Sequence, residues 1–355
     1  MANQEWSVGT LPPRRFGSVE TVLSRIGKPA PIMTAEQVIV PEERQLISMW
    51  DESAASCLTS CTEQFQIRKQ IWYCLTQHTE TNALASFLPQ HDEYVVVLMA
   101  GFLKIAQAIS RTMSDTAVQE FLGLNNGNGP GAENIDTLIT IAFRWLVYHE
   151  LGHIKNGHLH ILDRQHATSF ERVAQQGAED YNLTRQTLEM DADFFAFGQI
   201  FKEVLGKQYY RLFSAATISP LTSVKSIAIA IFTVLRCFDA PKVWTGDNTF
   251  TFTHPPTSFR MLKLGSWGLC FLPKLEQPII SMDEWCDVSL RALYLTDNAL
   301  GVLDGFSDED IQTFYRPLEL GRYTERLLRR WAKIRLALEP HLLGGVLAAA
   351  QEEPE

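Results

Sequence analysis

Two histidines four residues apart in an apolar segment constrain this chain more than any other feature. Ile135, Leu138, Ile139, Ala142, Leu146, His149 and His153 recur at three- and four-residue steps, so they share one broad side of a helix. Asn134 or Asp136 has the side chain to cap its start. Four residues turn a helix by roughly 400°, which projects His149 and His153 from one face, one turn apart. Imidazole nitrogens placed in this way can meet a single zinc ion at about 2 Å. Glu150 stands about 100° round the helix from His149, where its carboxylate reaches a water at the metal rather than the metal itself. That is the position of a general base.

A zinc site that works on a substrate takes three protein ligands and leaves the fourth position for water. The metzincin spacing would put a glycine three residues after His153 and a histidine three beyond it; Asn156 and Leu159 stand there instead, so that class is excluded. His158 and His160 lie one residue out of register on either side and read as surrounding or surface groups. The better third ligand is Glu189, in Leu188-Glu189-Met190-Asp191-Ala192-Asp193, on a second helix around Leu188–Phe201 packed against the first. Asp193, four residues on and on the same face, can accept a hydrogen bond from a metal-bound imidazole or sit against a basic group. Asp191 points elsewhere on that helix.

The remaining sequence is mostly helical in pattern. Residues 36–80 carry helical periodicity through Leu46, Trp50, Ala54, Cys57 and Cys61. The β-branched run Tyr94-Val95-Val96-Val97-Leu98-Met99 predicts a strand that ends at Gly101. Helical spacing returns from Phe102 to Met113. Gly123 to Gly131 is a loop by composition, without the Gly-Lys-Ser/Thr ending of a phosphate cradle. Ile218–Phe238 predicts a core helix, and residues 284–347 predict further helices broken between Gly301 and Asp308. The fold class is therefore mainly α with a small β-sheet (α+β).

The bulk properties exclude several functions. A net charge of −10 and a pI near 5.4 repel a phosphate backbone, and the nearest basic group, Arg326-Leu327-Leu328-Arg329-Arg330, reads as the wet face of a helix. The longest apolar stretch, Ile227 to Leu235, is hemmed by Lys225 and Arg236. It is about half the roughly 20 residues that a membrane span needs. The start of the chain lacks the apolar core of a secretory signal. Six cysteines with no Cys-x-x-Cys pair read as free thiols, which makes a cytoplasmic location the expectation.

Four separated blocks resemble the gluzincin metallopeptidases of the HtpX and CAAX-prenyl-protease family, and their soluble relatives such as the Lit-type phage-exclusion peptidases. They are His149-Glu150-Leu151-Gly152-His153; Glu189-x-x-Ala192-Asp193 followed by Phe194, Phe195 and Ala196; Thr253-His254-Pro255-Pro256 with Arg260 downstream; and Asn82-Ala83, the strand Tyr94 to Met99 and Gly101-Phe102-Leu103. The resemblance covers residues 82–264 and leaves about the first 80 and last 90 residues unplaced. It implies one zinc ion per chain held by His149, His153 and Glu189, with Glu150 as the base. It further implies that His254 sits over the open metal position to stabilise an oxyanion, and that Arg260 pairs with an acidic group, for which Asp193 is the candidate. The strand formed by Tyr94, Val95, Val96, Val97, Leu98 and Met99 would bind an extended protein or peptide substrate along the sheet edge.

Residues 1–34, rich in Pro, Arg and Ser, are expected to form an extended or poorly ordered lead, 35–275 a zincin-like metallopeptidase domain and 276–355 a C-terminal helical subdomain. No membrane-spanning helix and no nucleic-acid partner is expected, and the oligomeric state is open. The competing reading is a catalytically silent regulatory or toxin-like binding protein with a structural zinc helix. Its mark would be four protein ligands, with His158 or His160 filling the last position.

Overall fold

The structure is a computed structural model. It describes residues 14–15, 38, 40–77, 83–89, 92–124, 132–167, 178–205, 219–238, 254–257, 259–261, 263–264, 281–304 and 320–347. Three full strands, β2 (Ile71–Thr76), β3 (Ala83–Leu88) and β4 (Glu93–Met99), form a sheet with the two-residue β1 (Arg14–Arg15) in the order β1-β2-β4-β3. β2 runs parallel to β1 and β4, while β3 and β4 are antiparallel. The helices are α1 (Pro41–Phe65), α2 (Leu103–Ser114), α3 (Thr116–Leu122), α4 (Ala132–Lys155), α5 (His158–Ala167), α6 (Ala178–Leu205), α7 (Pro220–Phe238), α8 (Met282–Ala299) and α9 (Leu320–Leu338). The mainly helical architecture with a small sheet is the one expected from the sequence.

The strand alternation sorts β4 between two cores. Tyr94, Val96 and Leu98 face the main helical core, while Val95 and Val97 pack with Cys74 and Leu88 on the other side of the sheet. A strand buried on both faces loses the polar half of its pattern, which is why it reads as a continuous apolar run. α4 is the central helix: Trp145, Leu146, Val147, Tyr148 and Leu151 are all buried, and it packs on α1, α6, α7 and β3. Its closest partner is α6, and Gly152 is the point of approach. A Cβ at Gly152 would lie 3.1 Å from the Ala192 Cα and 3.2 Å from the Phe195 ring.

Three boundaries differ from the expectation. Helical periodicity through residue 80 fails after Phe65, because Gln66 turns into the left-handed region at φ 52° and the chain continues as β2. Ile71, Cys74 and Leu75 are apolar at spacings that a helix and a buried strand share. α4 begins at Ala132, which places Asn134 and Asp136 inside its first turns rather than at its cap. α6 begins ten residues ahead of the expected Leu188.

α7 includes one window, Leu221–Phe238, long and apolar enough to cross a membrane, and 67% of it is buried inside the protein. It is a core helix, packed on α4, α2 and α8. Of the C-terminal helices, α8 lies on α7 and α3, and α9 lies on α6 and α5. Beyond Arg14–Arg15, the expected N-terminal lead lies outside the described residues, as do Asn82, Thr253 and most of the loop at 123–131.

Candidate metal centre

α4 and α6 bring three donor groups to one point. His149 Nε2 is 3.2 Å from His153 Nε2 and 3.2 Å from Glu189 Oε2, and His153 Nε2 is 3.7 Å from Glu189 Oε1. All three side chains are buried, and their ligand atoms lie within 4.8 Å of one another. Donors bound to one tetrahedral zinc at about 2.0–2.1 Å stand roughly 3.3 Å apart, which is close to the spacing between the two histidine nitrogens. Two imidazole nitrogens facing each other beside a carboxylate make a donor set of the kind that zinc takes. The group could hold a metal ion.

The helix geometry that the sequence implied is therefore present, and so is the support behind it. His149 Nδ1 is 2.9 Å from Asp193 Oδ1, a charge contact rather than an aligned hydrogen bond. Asp193 in turn accepts from Arg260 Nε at 2.7 Å and Nη2 at 2.6 Å. Burial favours the neutral form of Asp193, but Arg260 and His149 outweigh it and hold the carboxyl below its usual range. Burial likewise opposes a charge on His149, yet the Asp193 and Glu189 carboxylates prevail and push its pKa up to about 10. For Glu189, burial is outweighed by His254, His153 and His149, and its carboxyl lies well below the ordinary value.

Glu150 stands apart from the donor cluster on the same helix. Burial pushes its carboxyl up, partly offset by the two histidines and by a hydrogen bond from the Ala85 backbone. Ala85 belongs to β3, an edge strand among the described residues, so Glu150 links α4 to that strand. His254 Nε2 lies 3.6 Å from Glu189 Oε1, with 49% of its side chain exposed. It follows α7 in sequence and precedes helical residues at 257, 259–261 and 263–264, which position Arg260.

Residues 124–266 match the family model described as Peptidase U49. The match supports a peptidase. It starts just before α4 and ends after Arg260, so it spans the donor triad, Glu150, Asp193 and His254 in about two-fifths of the chain. No curated protein and no solved structure matches the chain.

One expectation is overturned. An exposed sheet edge is expected at Tyr94 to Met99, but β4 is paired on both sides, with β2 across Ile71↔Tyr94 to Thr76↔Met99 and with β3 across Ala83↔Leu98 to Leu88↔Glu93. Tyr94, Val95, Val96, Val97, Leu98 and Met99 are all buried and offer no free backbone groups in register. Its high β-propensity marks the centre of the sheet. Among the described residues the edge beside β4 is β3, whose five half-buried residues carry no comparable pattern.

His158 and His160 do not complete a fourth protein ligand. His158 Nδ1 is 3.0 Å from His153 Nδ1, on the side of that ring away from the donor cluster. Its pKa is lowered by burial in spite of the adjacent Asp191. His160 Nε2 is 2.9 Å from Tyr94 Oη, and its ring stacks on His341 at 4.3 Å. Asp191, expected to play no part, accepts from Asn156 Nδ2 at 2.5 Å and faces His158 Nε2 at 3.1 Å. The sequence held a signal for this contact, a histidine five residues after His153, but spacing alone does not tell which nitrogen it meets.

Proposed function

We propose that this chain is a zinc-dependent endopeptidase of the gluzincin type, similar to the HtpX and CAAX-prenyl-protease group, acting on a protein substrate. The observation that carries the reading is the convergence of His149, His153 and Glu189 with Glu150 held beside them on the same helix. The match to a peptidase family model over the same residues supports it.

His149, His153 and Glu189 are the residues that would hold zinc. Bound there, zinc supplies a Lewis acid that polarises a peptide carbonyl and lowers the pKa of water. Glu150 takes a proton from the attacking water as the water oxygen bonds to the carbonyl carbon. The same carboxyl then delivers that proton to the amide nitrogen as the C–N bond breaks. Burial raises the Glu150 pKa, which makes its carboxylate a stronger proton acceptor.

His254 is open to solvent on one side and approaches Glu189 on the other, where its ring N–H can meet the oxygen on which negative charge develops. Asp193 orients His149, and Arg260 holds Asp193. β3, rather than β4, is the strand along which an extended substrate would lie, since its outer side is unpaired among the described strands and Ala85 faces Glu150.

The experiment is metal removal and return. Dialysis against a chelator should abolish cleavage, and one equivalent of zinc should restore it. A Glu150→Gln variant used as a trap, with captured proteins identified by mass spectrometry, supplies the substrate. A protein whose cleavage of a trapped partner is indifferent to chelation would refute the zinc mechanism.

A further inference from the structure

The two histidines that face the metal point are supported differently. His149 meets a carboxylate directly, Asp193 at 2.9 Å. His153 meets another imidazole, with His158 Nδ1 at 3.0 Å from its own Nδ1. His158 then reaches Asp191 through Nε2 at 3.1 Å, and the same Asp191 oxygen accepts from Asn156 Nδ2 at 2.5 Å. His158 has no exposed surface, and Asn156 is buried beside it.

We propose that His158 and Asp191 are positioning residues for His153, a two-step relay from a carboxylate through a neutral imidazole to the metal ligand. The proposal rests on reading His153 as a ligand. The proton pattern follows from the donor inventory. An ionised carboxylate has only lone pairs, so His158 Nε2 carries the proton between it and Asp191. In the neutral ring, His158 Nδ1 is then bare and accepts. His153 Nδ1 must donate to it, which leaves His153 Nε2 bare and directed at the donor cluster. The relay thus selects the one tautomer of His153 that can bind a metal through Nε2.

Local backbone geometry delivers His158 to this place. Gly157 turns the chain between α4 and α5 in the left-handed region at φ 76°. A Cβ there would fall 2.7 Å from the His341 Cβ, so the turn is closed over by the 339–341 segment. The tight reversal folds His158 back against the helix it has just left, and Asp191 arrives from α6, two residues after Glu189. The same helix therefore supplies a metal ligand at Glu189, the support for one histidine at Asp193 and the remote end of the relay to the other at Asp191.

The test measures zinc affinity by chelator competition for the full chain and for His158→Phe, Asp191→Ala and His158→Gln. Loss of such support typically weakens metal binding about 10–100-fold. That loss is expected for His158→Phe and Asp191→Ala, with helix content unchanged. His158→Gln, which has an acceptor for His153 and a donor for Asp191, should recover most of it. A purely packing role predicts the opposite order, with glutamine worse than phenylalanine in a fully buried site, and that order would overturn the proposal. Nitrogen-15 shifts of the ring nitrogens in the metal-free wild type supply a second readout that does not depend on variant folding. His153 should carry its proton on Nδ1; a proton on Nε2 would overturn the relay. If the wild type binds no zinc, the metal reading itself has failed, and the ring shifts still decide whether the relay exists.

Discussion

Arg260 grips Asp193 with two parallel N–H donors, at 2.7 and 2.6 Å, where Asp193 has no exposed surface at all. The pair joins the helical residues after His254 to α6, and through His149 it joins both to the metal point. Removing one partner of a buried pair leaves the other charged and unsolvated. Arg260→Leu should therefore cost about 3–5 kcal/mol of stability, read by denaturant unfolding of the metal-free protein. Zinc affinity should fall by about 10–100-fold, because His149 loses a fixed support. A variant with lowered stability and unaltered zinc affinity would separate Asp193 from the site.

Gly152 sets how closely α4 and α6 approach, and so the distance from Glu189 to the two histidines. A side chain there meets backbone, the Ala192 Cα at 3.1 Å, which cannot rotate away. Gly152→Val should destabilise the fold by about 1–3 kcal/mol through overpacking. The same shift should weaken zinc binding, measured by chelator competition, through a residue that offers no ligand atom of its own. Unchanged affinity would mean that the helix spacing is set elsewhere.

A second buried ion pair serves as a control. Glu203 accepts from Arg144 Nε at 2.7 Å, Arg144 Nη2 at 2.5 Å and Tyr148 Oη at 2.5 Å. Glu203→Leu strands a buried guanidinium and should cost about 3–5 kcal/mol. It contacts none of the donor groups, so zinc affinity per folded molecule should stay at the wild-type value. Thermal unfolding and chelator competition on one preparation measure both.

The cysteines should sort by burial. Cys57 and Cys61 lie in the core beneath α4, and burial pushes both thiols up, Cys61 to about 12. Thiolate is the reactive form, so alkylation near neutral pH should reach exposed Cys286 and spare Cys57, Cys61 and Cys74 until the protein unfolds. Mass spectrometry of labelled peptides reads the order directly; rapid native labelling of Cys57 would contradict the packing of α1 on α4.

The candidate donor group was legible because a helix converts spacing into direction. His149 and His153 share a face by arithmetic, and Glu189 and Asp193 repeat the same arithmetic on the partner helix. The convergence of the two faces at 3.2 Å lies beyond spacing, since it depends on the glycine at 152 meeting Ala192 across the interface. The sheet was harder to read. β4 shows its propensity because it is buried on both sides, whereas β3, half exposed at the edge, has a mixed sequence, Ala-Leu-Ala-Ser-Phe-Leu, that serves a strand or a helix. Strand order is a long-range property, and a pattern within one strand says nothing about which neighbours pair with it. The contact between His158 and Asp191 escaped for a similar reason: it forms only because the Gly157 turn folds one against the other.

The most direct measurement is the cleavage rate of a trapped substrate by Glu150→Gln beside the wild type, with zinc quantified in both preparations. The glutamine amide is nearly isosteric with the carboxylate but cannot accept the proton from water. We predict about one zinc per chain in each protein, with the variant's rate reduced at least a hundredfold, within the range general-base catalysis contributes. Cleavage by the zinc-loaded variant at the wild-type rate would contradict the account.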